Sequence, residues 1–363
     1  MVHKAFKYPI YPNDEQKVLI NKTFGCCRFV YNKVLEYCKN KYETEGVSIS
    51  FFDCGKYLRQ NLKVQYPWLK EVDSASLDYT LKNLDEAYKR FFREHKGYPK
   101  FKSKENHKLS YTTYVKRLKS FINMEGGCVN LPKMKGLSID FTRPLEGTPT
   151  LATISLTSSG KYYISILTET EHIPLPKSNK EIGLSFGLDN VISTSEDVVY
   201  PNVKAYEKYE RKLKRLQRKL SRRQKDSKNY EKQRKLLAKC HEKIANVRKD
   251  SLHKISKDII CDNQVIHLVQ PDISSFIKNN PELTMEVKDA SWYELYRQLV
   301  YKADWNKRKL IQENPKEDLY GKCSHCGHSC NSINQLIPNW VCPNCGTTHD
   351  THINFAKNIL VTT

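Results

Sequence analysis

Cys323-x-x-Cys326 and Cys342-x-x-Cys345, with fifteen residues between them, constrain this chain more than any other feature. A Cys-x-x-Cys step folds as a tight knuckle, and two knuckles joined by a hairpin hold four thiolates about 2.3 Å from one tetrahedral ion. The spacing predicts a four-cysteine zinc ribbon, and the zinc is structural because four thiolates leave no position for water. Cys330, His325 and His328 fall inside the loop, but the knuckles Cys-Ser-His-Cys-Gly and Cys-Pro-Asn-Cys-Gly satisfy the ion without them. Disulfides are the other use of twelve cysteines. The sequence shows no secretory signal, so a reduced cytoplasmic chain with metal-bound thiols is expected.

Charge limits the partners. Lysine and arginine number 61 against 40 acidic residues, a net charge of +21, which points to a polyanion rather than a neutral ligand. No apolar run approaches the roughly 18 to 20 residues that span a bilayer, so no membrane partner is expected. The 363 residues are enough for two or three compact units, and a multidomain α+β architecture is expected.

Residues 1–10 alternate like an edge strand, and a turn with Asn13 or Asp14 as helix cap follows. Residues 15–45 and 74–95 carry apolar side chains at three and four spacing, among them Leu77, Leu81, Leu84, Tyr88 and Phe91, so residues 11–98 read as a helical domain. From 99 to 180 short alternating runs broken by glycine and proline predict a small barrel or sandwich. At its start, Pro99 to Lys104 alternates Lys100, Lys102 and Lys104 with the stacking ring of Phe101.

Glu181 to Asp189 reads as a buried strand that carries on through Val191 and Ile192. Residues 204–257 hold 21 basic against six acidic residues on a helical leucine period, predicting two long helices folded back near Ser227-Lys228-Asn229. One sign of charge on such a hairpin makes it a rail for a nucleic-acid backbone, with Arg211, Lys214, Arg218 and Arg222 as candidate RNA contacts beside Lys100 and Lys104. Gln264 to Val269 is a second buried strand, and a helix is expected over 289–310.

Pro99 to Lys104, Gly183 to Gly187, the lysine-rich hairpin, Ser291-Trp292 with Leu299 to Lys302, the knuckles, and Cys342 to Asn354 occur in the order seen in TnpB, which this chain resembles over nearly its whole length. TnpB proteins are transposon-encoded, RNA-guided DNA nucleases similar to type V CRISPR effectors. The resemblance implies a wedge-like β-barrel (1–10 and 99–180) interrupted by a helical recognition domain (11–98). An RNase H-like RuvC domain (181–320 and 347–363, with the basic hairpin at 204–260) would follow, carrying a zinc ribbon (321–346). It also implies a guide RNA with a scaffold and a short guide segment, a double-stranded DNA target with an adjacent motif, and a monomer in the cytoplasm at the nucleoid. Tyr79, Lys82, Lys102 and Tyr111 are candidates for reading the adjacent motif.

Nuclease chemistry of this class needs three carboxylates from separate segments to hold two magnesium ions. The family's Gly-Ile-Asp-x-Gly falls on Gly183 to Gly187 and puts Ser185 at the first aspartate. The strand ending in Glu-Asp-Leu falls on Val269-Gln270-Pro271, and His-Asp-Arg-Asp-x-Asn falls on His349 to Asn354. Val269 and His352 therefore replace the other two acids. Asp189 lies four residues past Ser185, about 13 Å along an extended strand. Asp272 lies beyond Pro271, and Asp350 matches a different aspartate of the motif. A hydroxyl, an isopropyl group and an imidazole do not rebuild a hard two-metal site, so no catalytic magnesium is expected. The chain resembles the nuclease-dead TnpB-like repressors called TldR, which block a promoter by occupancy. The alternatives are a TnpB endonuclease using displaced acids and a decaying remnant; against the latter stand the uninterrupted frame and intact knuckles.

Overall fold

The computed structural model describes residues 2–104, 109–116, 121–123, 125–314 and 319–361. The chain divides into two compact units, residues 1–171 and 172–363.

In the first unit, β1 (Val2–Tyr11) leads into α1 (Asp14–Glu45), α2 (Phe51–Tyr57), the short α3 (Lys63–Gln65) and α4 (Ser74–Glu94). The strands β2 (Leu109–Tyr114), β3 (Ile122–Asn123), β4 (Cys128–Leu131), β5 (Met134–Ile139), β6 (Thr148–Leu156) and β7 (Tyr162–Thr170) follow. Asn13 is the cap of α1: its side chain accepts from the Gln16 N–H, and Gln16 reciprocates at the Asn13 N–H, closing a capping box. The seven strands run in the order β2-β6-β7-β1-β5-β4-β3.

Two expectations change here. β1 is not an edge strand but sits between β7 and β5, because alternating Phe6, Tyr8 and Ile10 are buried. Among the described residues no pairing joins β2 to β3, so the predicted barrel is a half-barrel sheet. Its buried face shares one apolar core with the helices, joining Tyr8, Ile154 and Ile166 to Ile20, Val34 and Leu77.

The second unit is built on a five-stranded sheet, β10-β9-β8-β11-β12. Its strands are β8 (Glu181–Phe186), β9 (Asn190–Thr194), β10 (Val199–Pro201), β11 (Val265–Val269) and β12 (Lys309–Glu313), with β11 parallel to both β8 and β12. The expected single strand through Val191 is instead a hairpin. The chain reverses over residues 187–189 and pairs Phe186 with Ile192. Gly187 permits this, since a Cβ there would stand 2.7 Å from the Asn190 carbonyl oxygen.

The basic segment forms α5 (Ala205–Ser221) and α6 (Lys228–Asp262), the two helices expected to fold back near Ser227, and Ser227 proves to cap α6. Between β11 and β12 run α7 (Ile273–Asn279), α8 (Thr284–Ala290) and α9 (Trp292–Trp305). The predicted helix over 289–310 is thus shorter. It starts after Ser291, whose φ of 54° breaks it from α8, and its last residues belong to β12. Ile182, Leu184, Ile266 and Leu268 face a core with Ile255, Ile259, Leu295 and Leu299 from α6 and α9. The opposite face carries α10 (Thr351–Val361), packed so closely that a Cβ on Gly183 would meet the Ala356 carbonyl oxygen at 2.0 Å. A two-stranded hairpin, β13 (Asn339–Val341) with β14 (Thr348–Asp350), precedes α10. Among the described residues no helix is long and apolar enough to cross a membrane.

Candidate functional site

Cys323, Cys326, Cys342 and Cys345 converge, with all four sulfurs within 4.8 Å of one another. The pairs Cys323 to Cys345 and Cys326 to Cys342 lie 3.7 and 3.6 Å apart. A tetrahedron with bonds of about 2.3 Å has edges of about 3.8 Å, so these four thiols fit a zinc ion. Sequence reasoning considered the histidines of the loop, but the one that touches the cluster is His349, whose Nε2 lies 3.0 Å from Cys323 Sγ. It arrives from β14, where it pairs with Trp340 across the hairpin, and it braces the thiolate from outside the ligand set. Two asparagines fasten the first knuckle to α10. Asn354 donates to the Tyr320 and Lys322 carbonyls and accepts from the Ser324 N–H, and Asn358 donates to the Leu319 and Lys322 carbonyls.

The three positions singled out for their missing acids come together. The Ser185 hydroxyl and His352 Nδ1 share a hydrogen bond of 2.9 Å between the end of β8 and the first turn of α10. Val269 ends the neighbouring parallel strand β11, one step beyond the Leu268 that pairs with Leu184, and packs with Leu319, Phe355 and Ile359. Ser185 is buried. Burial pushes the His352 imidazole below its ordinary value, against the opposing pull of Asp350, the Gln335 backbone and Asp189.

The nearby acids are differently engaged. Asp350 caps α10 by accepting from the His352 and Ile353 N–H groups, and Asp272 caps α7 by accepting from the Ser275 N–H. Asp189 is not carried about 13 Å away along an extended strand, the distance expected from the sequence. The chain turns at Gly187, and Asp189 and Asp350 line one cavity with His352, of about 130 Å³. Asp189 is exposed, however, and pairs with Lys204 at 2.8 Å. Among the described residues, the four cysteines are the group of three or more ligating side chains placed to hold a metal ion.

On the first unit, Lys82 lies over the Tyr79 ring, and that ring meets Tyr114 edge-on at 5.6 Å. Lys102 extends its amine over Tyr31 at 4.1 Å, its backbone tied in both directions to the Asn32 side chain. Tyr111 does not join this surface. It is 7% exposed and packs on Phe24, because it and Tyr114 lie on opposite faces of β2. Tyr114, 44% exposed, takes the place beside Tyr79 that the sequence reading gave to Tyr111. Lys100, Lys104, Arg211, Lys214, Arg218 and Arg222 are all exposed, with Lys214 paired to Glu210.

Three family models match the chain: "Helix-turn-helix domain" over residues 1–46, "Probable transposase" over 165–270, and "Cas12f1-like, TNB domain" over 292–359. The first of these regions is here a strand and one continuous helix. A Streptomyces pristinaespiralis protein named "Putative RNA-guided DNA endonuclease" is 32% identical over 99% of this chain and 89% of its own length. "Putative RNA-guided DNA endonuclease InsQ" of Escherichia coli K12 is 30% identical over 98% of this chain and 91% of its own. With such identity sustained from end to end, the chain belongs to the TnpB/IS605 OrfB-like family, which is related to Cas12f.

Proposed function

We propose that this protein binds DNA under the direction of a guide RNA without cutting it, and represses transcription by occupying a promoter. The observation that carries this reading is the hydrogen bond of 2.9 Å between Ser185 and His352, with Val269 on the adjoining strand. Hydrolysis through two metal ions needs anionic oxygen from several directions to gather the ions, which in turn stabilise the charge that develops on the leaving oxygen. A neutral dyad already satisfied by its own hydrogen bond supplies none. Binding does not depend on that chemistry: guide pairing reads the sequence, and the protein reads a short adjacent motif and the backbone.

In this reading residues 1–10 and 99–180 act as the wedge and 11–98 as the recognition domain. Residues 181–320 and 347–363 form the RuvC-like part, and 321–346 the ribbon. Tyr79, Lys82 and Lys102, with Tyr114, face the duplex motif, while Lys100, Lys104, Arg211, Lys214, Arg218 and Arg222 hold RNA phosphates. Four thiolates at the ribbon would hold zinc, which supplies a cross-link rather than chemistry.

A second reading, an RNA-guided endonuclease with displaced acids, is favoured by one observation: Asp189 and Asp350 share a cavity with His352. The purified ribonucleoprotein, given matched DNA and magnesium, separates the two. Retention of matched duplex with both strands intact is expected. Guide-dependent cutting that disappears in Asp189→Ala overturns the first reading and establishes the second. Sequencing the RNA that co-purifies tests the guide itself: one discrete species ending in a variable segment is expected, and random fragments would contradict it.

A further inference from the structure

Beside the degenerate site lies a cavity of about 400 Å³, at the carboxyl ends of β8 and β11. That is where open α/β sheets place ligands, and the volume lies in the range of small-ligand sites, roughly 300 to 1,000 Å³. The chemistry of its lining decides what fits. Among the described residues no lysine or arginine lines it, so they offer a phosphate no counter-charge there. Among the described lining residues the carboxylate is Asp272, which already caps α7, so these residues give a metal ion no ligand set.

Aromatic rings dominate instead. Tyr320 and Phe355 stack at 4.3 Å as one wall, and Trp292 and Phe276 meet edge-on at 5.2 Å as another, with Val269 between strand end and wall. Around the rings stand the amides of Gln270, Gln335 and Asn280. Gln270 and Gln335 each accept a hydrogen bond on the side-chain oxygen, from Gln312 and Tyr320, which leaves their N–H₂ groups as donors. Asn280 donates to the Phe276 carbonyl, which leaves its side-chain oxygen as an acceptor.

A flat apolar slot rimmed by amide donors and an acceptor suits a neutral, planar, heteroaromatic ring with hydrogen-bonding edges. A hydrocarbon would leave the amides unsatisfied, and an ion would lack a counter-charge. We propose that this cavity holds one unpaired nucleobase of a bound strand, so that the site retains the strand it does not cut. The inference rests on the nucleic-acid reading above for the identity of the ring. Valine at 269 matters to it, since a carboxylate there would place a charge against the aromatic walls.

The test uses the full-length protein and free nucleosides, which carry no phosphate. Saturation-transfer NMR with adenosine, guanosine, cytidine and thymidine should show transfer to at least one base. That binding should weaken by about tenfold or more in Val269→Glu, which sets a charge against the rings, and by about tenfold in Gln335→Ala, the size expected from losing one hydrogen bond to the base. Gln335→Ala lies on the rim and keeps the test decisive if Val269→Glu fails to fold, which thermal melting reports. A single-stranded oligonucleotide of the preferred base should displace the nucleoside, and an abasic strand of equal length should not. Absence of transfer from every nucleoside, or transfer unchanged in Gln335→Ala, overturns the inference, and it does so even if fluorescence anisotropy shows the oligonucleotide bound and the nucleic-acid reading intact. Nucleoside binding that no oligonucleotide displaces assigns the cavity to free nucleosides and overturns the strand-holding claim.

Discussion

At Ser185 a buried hydroxyl meets an imidazole whose protonation burial disfavours, and both partners report on the site without any ligand. Ser185→Ala removes a shared hydrogen bond and should lower unfolding free energy by about 1 kcal/mol, read from the denaturant midpoint. His352 sets a pH dependence. Its folded value lies below the unfolded one, near 6.5. The unfolded chain therefore binds the proton first, and the stability from burying a neutral ring is complete above that pH and is lost as pH falls through it. Melting temperatures measured from pH 8 down to 5 should fall more steeply in the native protein than in His352→Gln. The convergence of Ser185, Val269 and His352 was legible from motif alignment alone. The Ser185 to His352 contact was not, because 167 residues separate the pair and only the docking of α10 on Gly183 joins them. Tyr111 was misjudged for a simpler reason: two tyrosines three apart in a strand point opposite ways, and composition does not say which is inside.

Elements with strong local signals were read well. The cap Asn13, the turn near Ser227, the leucine period of α5 and α6, and the strand β11 are each written in a few adjacent residues. Asn13→Ala, which removes the side-chain half of a capping box, should cost about 1 kcal/mol in thermal or chemical unfolding. The β8 to β9 hairpin was missed because Gly187 to Asn190 lies within an apolar run that looks like one buried strand. The break at Ser291 was missed because a serine rarely takes a positive φ, and here tertiary packing imposes it. On α5 the exposed cations make a measurable claim. Replacing Arg211, Lys214, Arg218 and Arg222 together by glutamine should weaken RNA binding and flatten the slope of log affinity against log salt by about 3. An unchanged slope in anisotropy titrations would remove α5 from the RNA surface.

Across the whole molecule, the division into units was legible where a strand opens at 181, close to the observed division between residues 1–171 and 172–363. Closure of the first sheet was not, since whether two edges meet depends on twist and on short strands such as β3 that no motif marks. The ribbon offers a test at this scale. Cys342→Ser, or prolonged chelation, should release about one zinc per chain and lower the melting temperature by several degrees, read by metal analysis beside calorimetry. Asn354 and Asn358 give that loss a longer reach. They clasp the backbone of the first knuckle from the same helix whose opening turn carries His352, so the thiol cluster and the imidazole hang from one rod. Loss of an ion from the four thiols would slacken the rod at its ribbon end and loosen the imidazole at the other, so metal removal should be felt at a side chain outside the ribbon.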